Sequence, residues 1–193
     1  MTADQGLVRC GWCLSSERMT AYHDREWGVP CRDDRALFGH LVLDGFQAGL
    51  SWAVILDKRE GFRRAFADLD PERMARFNAR SVERLLRDPG IVRNRQKIEA
   101  AIRNARAYLR LQEAGGSFAD FLWAFVDGRP RRNRWRSLRR IPSRSLESDR
   151  MSAALREAGF GFVGTTICYA FMQATGMVND HVVQCFRYEE VGR

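Results

Sequence analysis

Apolar residues recur every three to four positions along almost the whole chain, and nowhere does strict alternation last long enough to build a strand. A chain patterned this way buries its apolar surface by packing helix on helix, so the expected fold class is all-α. Asp33 or Asp34 is placed to cap a helix starting near Arg35, on which Leu37, Leu41, Asp44 and Ala48 fall on one stripe. A helix from Ser51 gathers Trp52, Ile55, Leu56, Phe62 and Phe66, and ends before Asp70-Pro71, where proline opens the next. Short helices are expected around 72–77 and 82–86, a long one over 93–111 closed by Gly115-Gly116, and another over 118–126. With 193 residues and no internal repeat, residues 1–193 read as a single domain.

Residues 127–144 break the pattern. They are polar, punctuated by Pro130 and Pro142, and from Arg129 to Arg144 carry eight arginines, which predicts a loop over the surface. Ser148 or Asp149 then caps a helix over 150–158, a glycine-rich turn follows, and a second helix covers 165–175 before Gly176. This helix, hairpin and helix over about 150–175 puts Gly161, Val163, Gly164 and Thr165 where backbone amides and the helix dipole favour a phosphate, although glycine also serves many plain helix turns. The net charge of +8 points to a polyanionic partner without separating DNA from RNA. No apolar run approaches the ~20 residues of a bilayer span, and Met1–Arg9 holds no signal-peptide core, so the expected setting is the cytoplasm, away from membranes.

Five cysteines in a chain of this kind do not suggest a disulfide framework. Cys168 sits in an apolar stretch and reads as core. His181 and Cys185, four apart, would share one face of a helix, and Cys10 with His23 completes a Cys2His2 set for a tetrahedral metal that ties the two ends together. Cys10-x-x-Cys13 is also a ligand spacing, and unliganded core cysteines remain the plain reading. Asp44 stands out as well: a carboxyl on an apolar stripe is costly to bury unless it is paired or has a function.

Several blocks are more specific than any periodicity. They are Arg9-Cys10-Gly11-Trp12, Ala21-Tyr22-His23-Asp24, Glu26-Trp27-Gly28-Val29-Pro30, Gln47-Ala48-Gly49-Leu50-Ser51-Trp52, Gly161-Phe162-Val163-Gly164-Thr165-Thr166 and Val178-Asn179-Asp180-His181-Val182-Val183. From Arg9 to about Tyr188 the chain resembles the DNA-3-methyladenine glycosylase I family, within the helix-hairpin-helix glycosylase superfamily. The resemblance implies a two-lobed helical fold around a base-binding cleft. It implies a monofunctional enzyme of base excision repair that hydrolyses the N-glycosidic bond of 3-methyladenine in alkylated double-stranded DNA, leaving an abasic site, and that works as a monomer.

The resemblance also implies roles. One structural Zn2+ falls to Cys10, His23, His181 and Cys185, with His23 and not Cys13 as the family ligand. Trp12, Tyr22, Trp27 and Trp52 fall at its substrate-binding aromatic positions, Asp44 at its base-reading acid, and Gly161, Val163, Gly164 and Thr165 at its DNA-binding hairpin. Here the sequence departs from the pattern, because the family acid is a glutamate and Asp44 is one methylene shorter. A glycosylase with a shifted lesion preference and a zinc-stabilised DNA-binding protein without catalysis are therefore the alternatives. The lysines are Lys58 and Lys97, neither in the hairpin, which disfavours an imine-forming lyase. A cationic N3-alkylated adenine already has a weak glycosidic bond, so binding can dominate catalysis. Asp180 is read either as a stabiliser of sugar charge or as a residue orienting the neighbouring metal histidine.

Overall fold

The computed structural model describes residues 6–191; the first five residues of the leader reading, and the outermost ends of the expected single domain, lie outside them. Among the described residues ten α-helices run in the order α1 (Glu17–Arg25), α2 (Asp34–Gln47), α3 (Trp52–Ala65), α4 (Pro71–Ala75), α5 (Ala79–Leu86), α6 (Arg95–Glu113), α7 (Phe118–Trp123), α8 (Leu146–Glu157), α9 (Thr165–Ala174) and α10 (Arg187–Glu190). The predominantly helical expectation is met. Two two-residue strands qualify it: β1 (Arg131–Arg132) and β2 (Val178–Asn179) pair in parallel, a patch too short to leave any period-two signal.

Helix α2 is the hub. Asp33 caps it by accepting from the Ala36 amide, and Leu37, Phe38, Leu41, Val42 and Phe46 are all buried as the helix packs against α3, α6, α7 and α9. Asp34 has a different task from the one expected: its carboxylate accepts from the amides of Phe118 and Ala119 and from the Ser117 hydroxyl, holding the start of α7. At the other end of α2 the buried Lys97 donates to the carbonyls of Phe46 and Ala48, satisfying groups that a helix C-terminus leaves open. The chain then turns through Gly49 and re-enters helix at Trp52.

Three boundaries differ from expectation. Helix α8 begins at Leu146, because Ser145 and Ser148 form a reciprocal capping box that starts the helix earlier than a cap at Ser148 or Asp149 would. Residues 181–185 form turns and no helix, the Cys185 amide bonding to the Val182 carbonyl. The arginine-rich loop does not simply lie over the surface: through β1 and through Val183, whose amide donates to the Trp135 carbonyl, it is stitched to the segment after α9. Among the described residues no helix is long and apolar enough to cross a membrane.

Candidate functional site and metal centre

A cleft of about 450 Å³ opens where α1, α2, α3, α9 and the arginine-rich loop meet. Trp12, Tyr22, Trp27 and Trp52 line it together. Trp12 meets Trp27 edge-on at 5.1 Å and 70°, lies 6.5 Å from Tyr22, and Tyr22 in turn sits 5.3 Å from Trp52. Trp12 thus meets Tyr22 and Trp27 edge to face, whereas Tyr22 and Trp52 are tilted at 42°. The Trp52 indole N–H is buried without a partner among the described residues.

Asp44 enters this aromatic cleft from α2. It is 3% exposed, and its Oδ2 has no hydrogen-bond partner among the described residues. Burial with no compensating donor pushes its carboxyl up to about 8. No backbone amide among the described residues donates to Asp44 Oδ2, so this oxygen is buried unpaired at a cost. Burial, and then the neighbouring Asp44 charge, also hold the Tyr22 phenol protonated far above its ordinary range.

Sequence reasoning missed part of the wall. Gln47, Met19, Ala170, Gln173 and Ala174 line the cleft, and so do Leu138, Ile141, Pro142 and Ser143 of the arginine-rich loop. The signal in α9 was the same one that marked Asp44: Gln173 is polar among the apolar Ala170, Phe171, Met172 and Ala174. No pattern in the sequence announces that a loop folds back over a pocket.

Beside the cleft, Cys10, His23, His181 and Cys185 converge with their ligand atoms within 4.8 Å of one another, all buried. Cys185 Sγ lies 3.4 Å from His23 Nε2 and 3.5 Å from His181 Nδ1, and Cys10 Sγ lies 3.7 Å from His181 Nδ1. A zinc tetrahedron with Zn–S of ~2.3 Å and Zn–N of ~2.0 Å has sulfur–nitrogen edges of about 3.5 Å. The remaining ring nitrogens are engaged: His23 Nδ1 faces Asp24 at 2.7 Å, and His181 Nε2 faces the Trp27 carbonyl at 3.2 Å. Those partners set both tautomers so that the metal-facing nitrogens carry lone pairs. Burial raises the Asp24 carboxyl, but the Arg9 guanidinium and His23 outweigh it and hold it below the usual range. Gly28, at φ +82°, is required here because a Cβ would lie 2.9 Å from His181 Nε2. Cys13 is outside the cluster, its thiol donating to the Cys10 carbonyl, so the competing Cys10-Cys13 set is not formed.

Trp12 and Trp27 join the two sites. Trp12 packs 5.4 Å from the His23 ring and Trp27 4.6 Å from the His181 ring. Asp180 is not a free carboxylate: Asn133, Trp135, Tyr169 and Gln173 all donate to it. In the turn between α8 and α9, the Gly161 amide is turned inward to Asn104 at 2.7 Å, while the amides of Val163, Gly164 and Thr165 take no protein acceptor among the described residues. A second cleft, about 360 Å³ beside His40, is walled by Arg35, Arg59 and Arg63, of which the first two are spent on Asp70, Glu72 and Glu26.

Fold and site together define a helical protein with a buried Cys2His2 cluster that could hold a metal ion, set beside an aromatic-walled cleft containing a buried carboxyl. The methyladenine glycosylase family matches residues 12–188. DNA-3-methyladenine glycosylase 1 of Escherichia coli (strain K12) is 51% identical over 182 residues, covering 94% of this chain and 97% of that protein. A crystal structure of 3-methyladenine DNA glycosylase I superposes with a TM-score of 0.92 at 52% identity, over 93% of this chain and 98% of the other. A single-residue variant of such an enzyme in complex with 3-methyladenine gives 0.89 at 34% identity, over 92% and 96%. The chain belongs to the methyladenine glycosylase family.

Proposed function

We infer that this chain is a monofunctional DNA glycosylase that releases 3-methyladenine from alkylated DNA. The observation that carries the reading is Asp44 Oδ2, buried and unpaired inside a cleft walled by aromatic rings. A base can reach such a cleft only by being flipped from the duplex, and the rings reward that extrusion by stacking. An N3-alkylated adenine is cationic, so it gains a cation–π term of about 0.5–2 kcal/mol over a neutral base. Ionised Asp44 accepts from its exocyclic amine, a charge-assisted bond that normal adenine cannot match in strength.

Hydrolysis then needs little acid catalysis. As the bond between the sugar C1′ and the base nitrogen breaks, its electron pair neutralises the charge on the ring, the base leaves uncharged, and water adds to C1′ with loss of a proton. Both lysines are engaged away from the cleft, Lys97 on Phe46 and Ala48 and Lys58 on the Pro89 carbonyl, which supports hydrolysis over imine formation.

Cys10, His23, His181 and Cys185 would hold a structural Zn2+. Four protein ligands close the tetrahedron, so its contribution is to the fold, clamping residues near both ends and backing Trp12 and Trp27. Helix α8, the glycine turn and α9 serve as the helix-hairpin-helix anchor on duplex DNA, with the amides of Val163, Gly164 and Thr165 offered to one phosphate and Gly161 shaping the turn. The single domain works as a cytoplasmic monomer.

Mass spectrometry of bases released from methylated duplex DNA tests the activity: free 3-methyladenine is expected, and its absence removes the enzyme reading in favour of a DNA-binding protein. A second reading, a shifted lesion preference, is favoured by the shorter acid at Asp44. Release of another alkylated base ahead of 3-methyladenine would establish it.

A further inference from the structure

Asp180 saturates its carboxylate with four donors. Asn133 Nδ2 and Trp135 Nε1 each donate to Oδ1 at 2.7 Å, while the Tyr169 hydroxyl at 2.7 Å and Gln173 Nε2 at 2.8 Å donate to Oδ2. The group is 1% exposed, so its bonds are made within the protein. An acceptor-only partner decides how a side-chain amide sits: Gln173 must turn its NH2 to Asp180 and its carbonyl away. Gln173 lines the same cleft as Asp44, reaching it from α9 where Asp44 comes from α2, and its Oε1 accepts nothing from the described residues.

We propose that Gln173 is a specificity-determining residue of the cleft, presenting Oε1 as a second acceptor to the amine-bearing edge of the guest ring, and that Asp180 is the positioning residue that fixes this orientation. The proposal rests on the glycosylase reading and sharpens it. An exocyclic amine carries two N–H groups, so a pocket that reads it fully needs two acceptors; Asp44 supplies one. A ring with an oxo group at that edge would bring a lone pair against both acceptors, which rejects it more strongly than a missing contact would. Asp180 also holds the adjoining wall, since Asn133 and Trp135 lie in the loop that continues into Leu138, Ile141 and Pro142 over the cleft.

Single-turnover excision is to be measured on duplexes carrying one 3-methyladenine or one 3-methylguanine, with wild-type protein, Gln173→Met and Asp180→Asn, and with melting temperatures alongside. Gln173→Met keeps the length of the side chain at a half-buried position and removes the acceptor. Loss of one hydrogen bond to the flipped base should lower 3-methyladenine excision roughly tenfold. 3-methylguanine excision should hold or rise, so the ratio between lesions falls by at least the same factor. Asp180→Asn lets the Gln173 amide reverse and offer its NH2, so the ratio should fall further toward the oxo-bearing lesion. An unchanged ratio in Gln173→Met overturns the proposal, as does an equal loss on both lesions with a lowered melting temperature, which would mark a structural role. Should Asp180→Asn fail to fold, the Gln173→Met ratio decides alone. A wild-type protein that releases no 3-methyladenine overturns the glycosylase reading itself, a result distinct from any change of ratio.

Discussion

Replacing Asp44 by Asn should make the protein more stable at neutral pH, and the gain should vanish in acid. Asp44 is buried without a hydrogen-bond partner on Oδ2, and its carboxyl is raised to about 8 in the folded state. In the unfolded chain the same group titrates near 3.9. Because the folded value is the higher one, folding takes up a proton between the two, so stability is greatest below about pH 4 and is lost as pH rises toward 8. At pH 7 the gap of about three units corresponds to roughly 4 kcal/mol at 1.36 kcal/mol per unit. Asparagine is neutral throughout and escapes this term. For a chain of this size each kcal/mol moves Tm by roughly 2–4 °C, so the Asp44→Asn protein should gain on the order of 10 °C over wild type between pH 4 and pH 7. Calorimetric melting of both proteins across that range is the assay, and taking their difference cancels every other titrating group. A difference that stays flat with pH, or that turns against the variant as pH rises, would show that Asp44 is paired in the folded state and would refute the reasoning.

The pH dependence of excision should follow the same group: kcat/KM should rise as pH approaches about 8 and level off above it, and the Asp44→Asn profile should lack that rise. Purified protein should carry one zinc per chain, and Cys185→Ala should lose both the metal and several kcal/mol of stability, read by metal analysis and thermal melting. DNA affinity should fall steeply with salt. Within the arginine-rich loop, Arg131 and Arg132 are held by Glu147 and Glu189 whereas Arg134, Arg139 and Arg140 are exposed without an ion pair among the described residues, so replacing these last three by Ala should reduce the salt slope more than replacing the first two, as fluorescence titration at several salt concentrations would show.

Much of this architecture is legible in the sequence because its causes are local. Asp33 and Asp70-Pro71 mark helix starts by their own chemistry, and the apolar stripes of α2, α3 and α6 follow from spacing. Asp44 was visible as a misplaced charge. What escaped depends on contacts distant in the chain. The capping box at Ser145 competed with two equally good caps nearby, and the β1–β2 pair is created by a loop meeting a segment some forty-seven residues later. His181 and Cys185 meet their partners through a turn and not through helical spacing, so the ligand set was readable while its local geometry was not. Asp180 suggested chemistry from its neighbour in sequence, yet its four donors come from positions 133, 135, 169 and 173 and leave it no free lone pair to offer a sugar.

The central claim, that the Asp44 pocket recognises and releases an N3-alkylated adenine, is tested most directly by quantifying 3-methyladenine released from methylated duplex DNA under single-turnover conditions by wild type, Asp44→Asn and Asp44→Glu. Wild-type protein should release it, Asp44→Asn should lose at least tenfold in rate while remaining folded at pH 7, and Asp44→Glu should equal or exceed wild type by restoring the reach of the longer acid. Equal release by wild type and Asp44→Asn would contradict the claim.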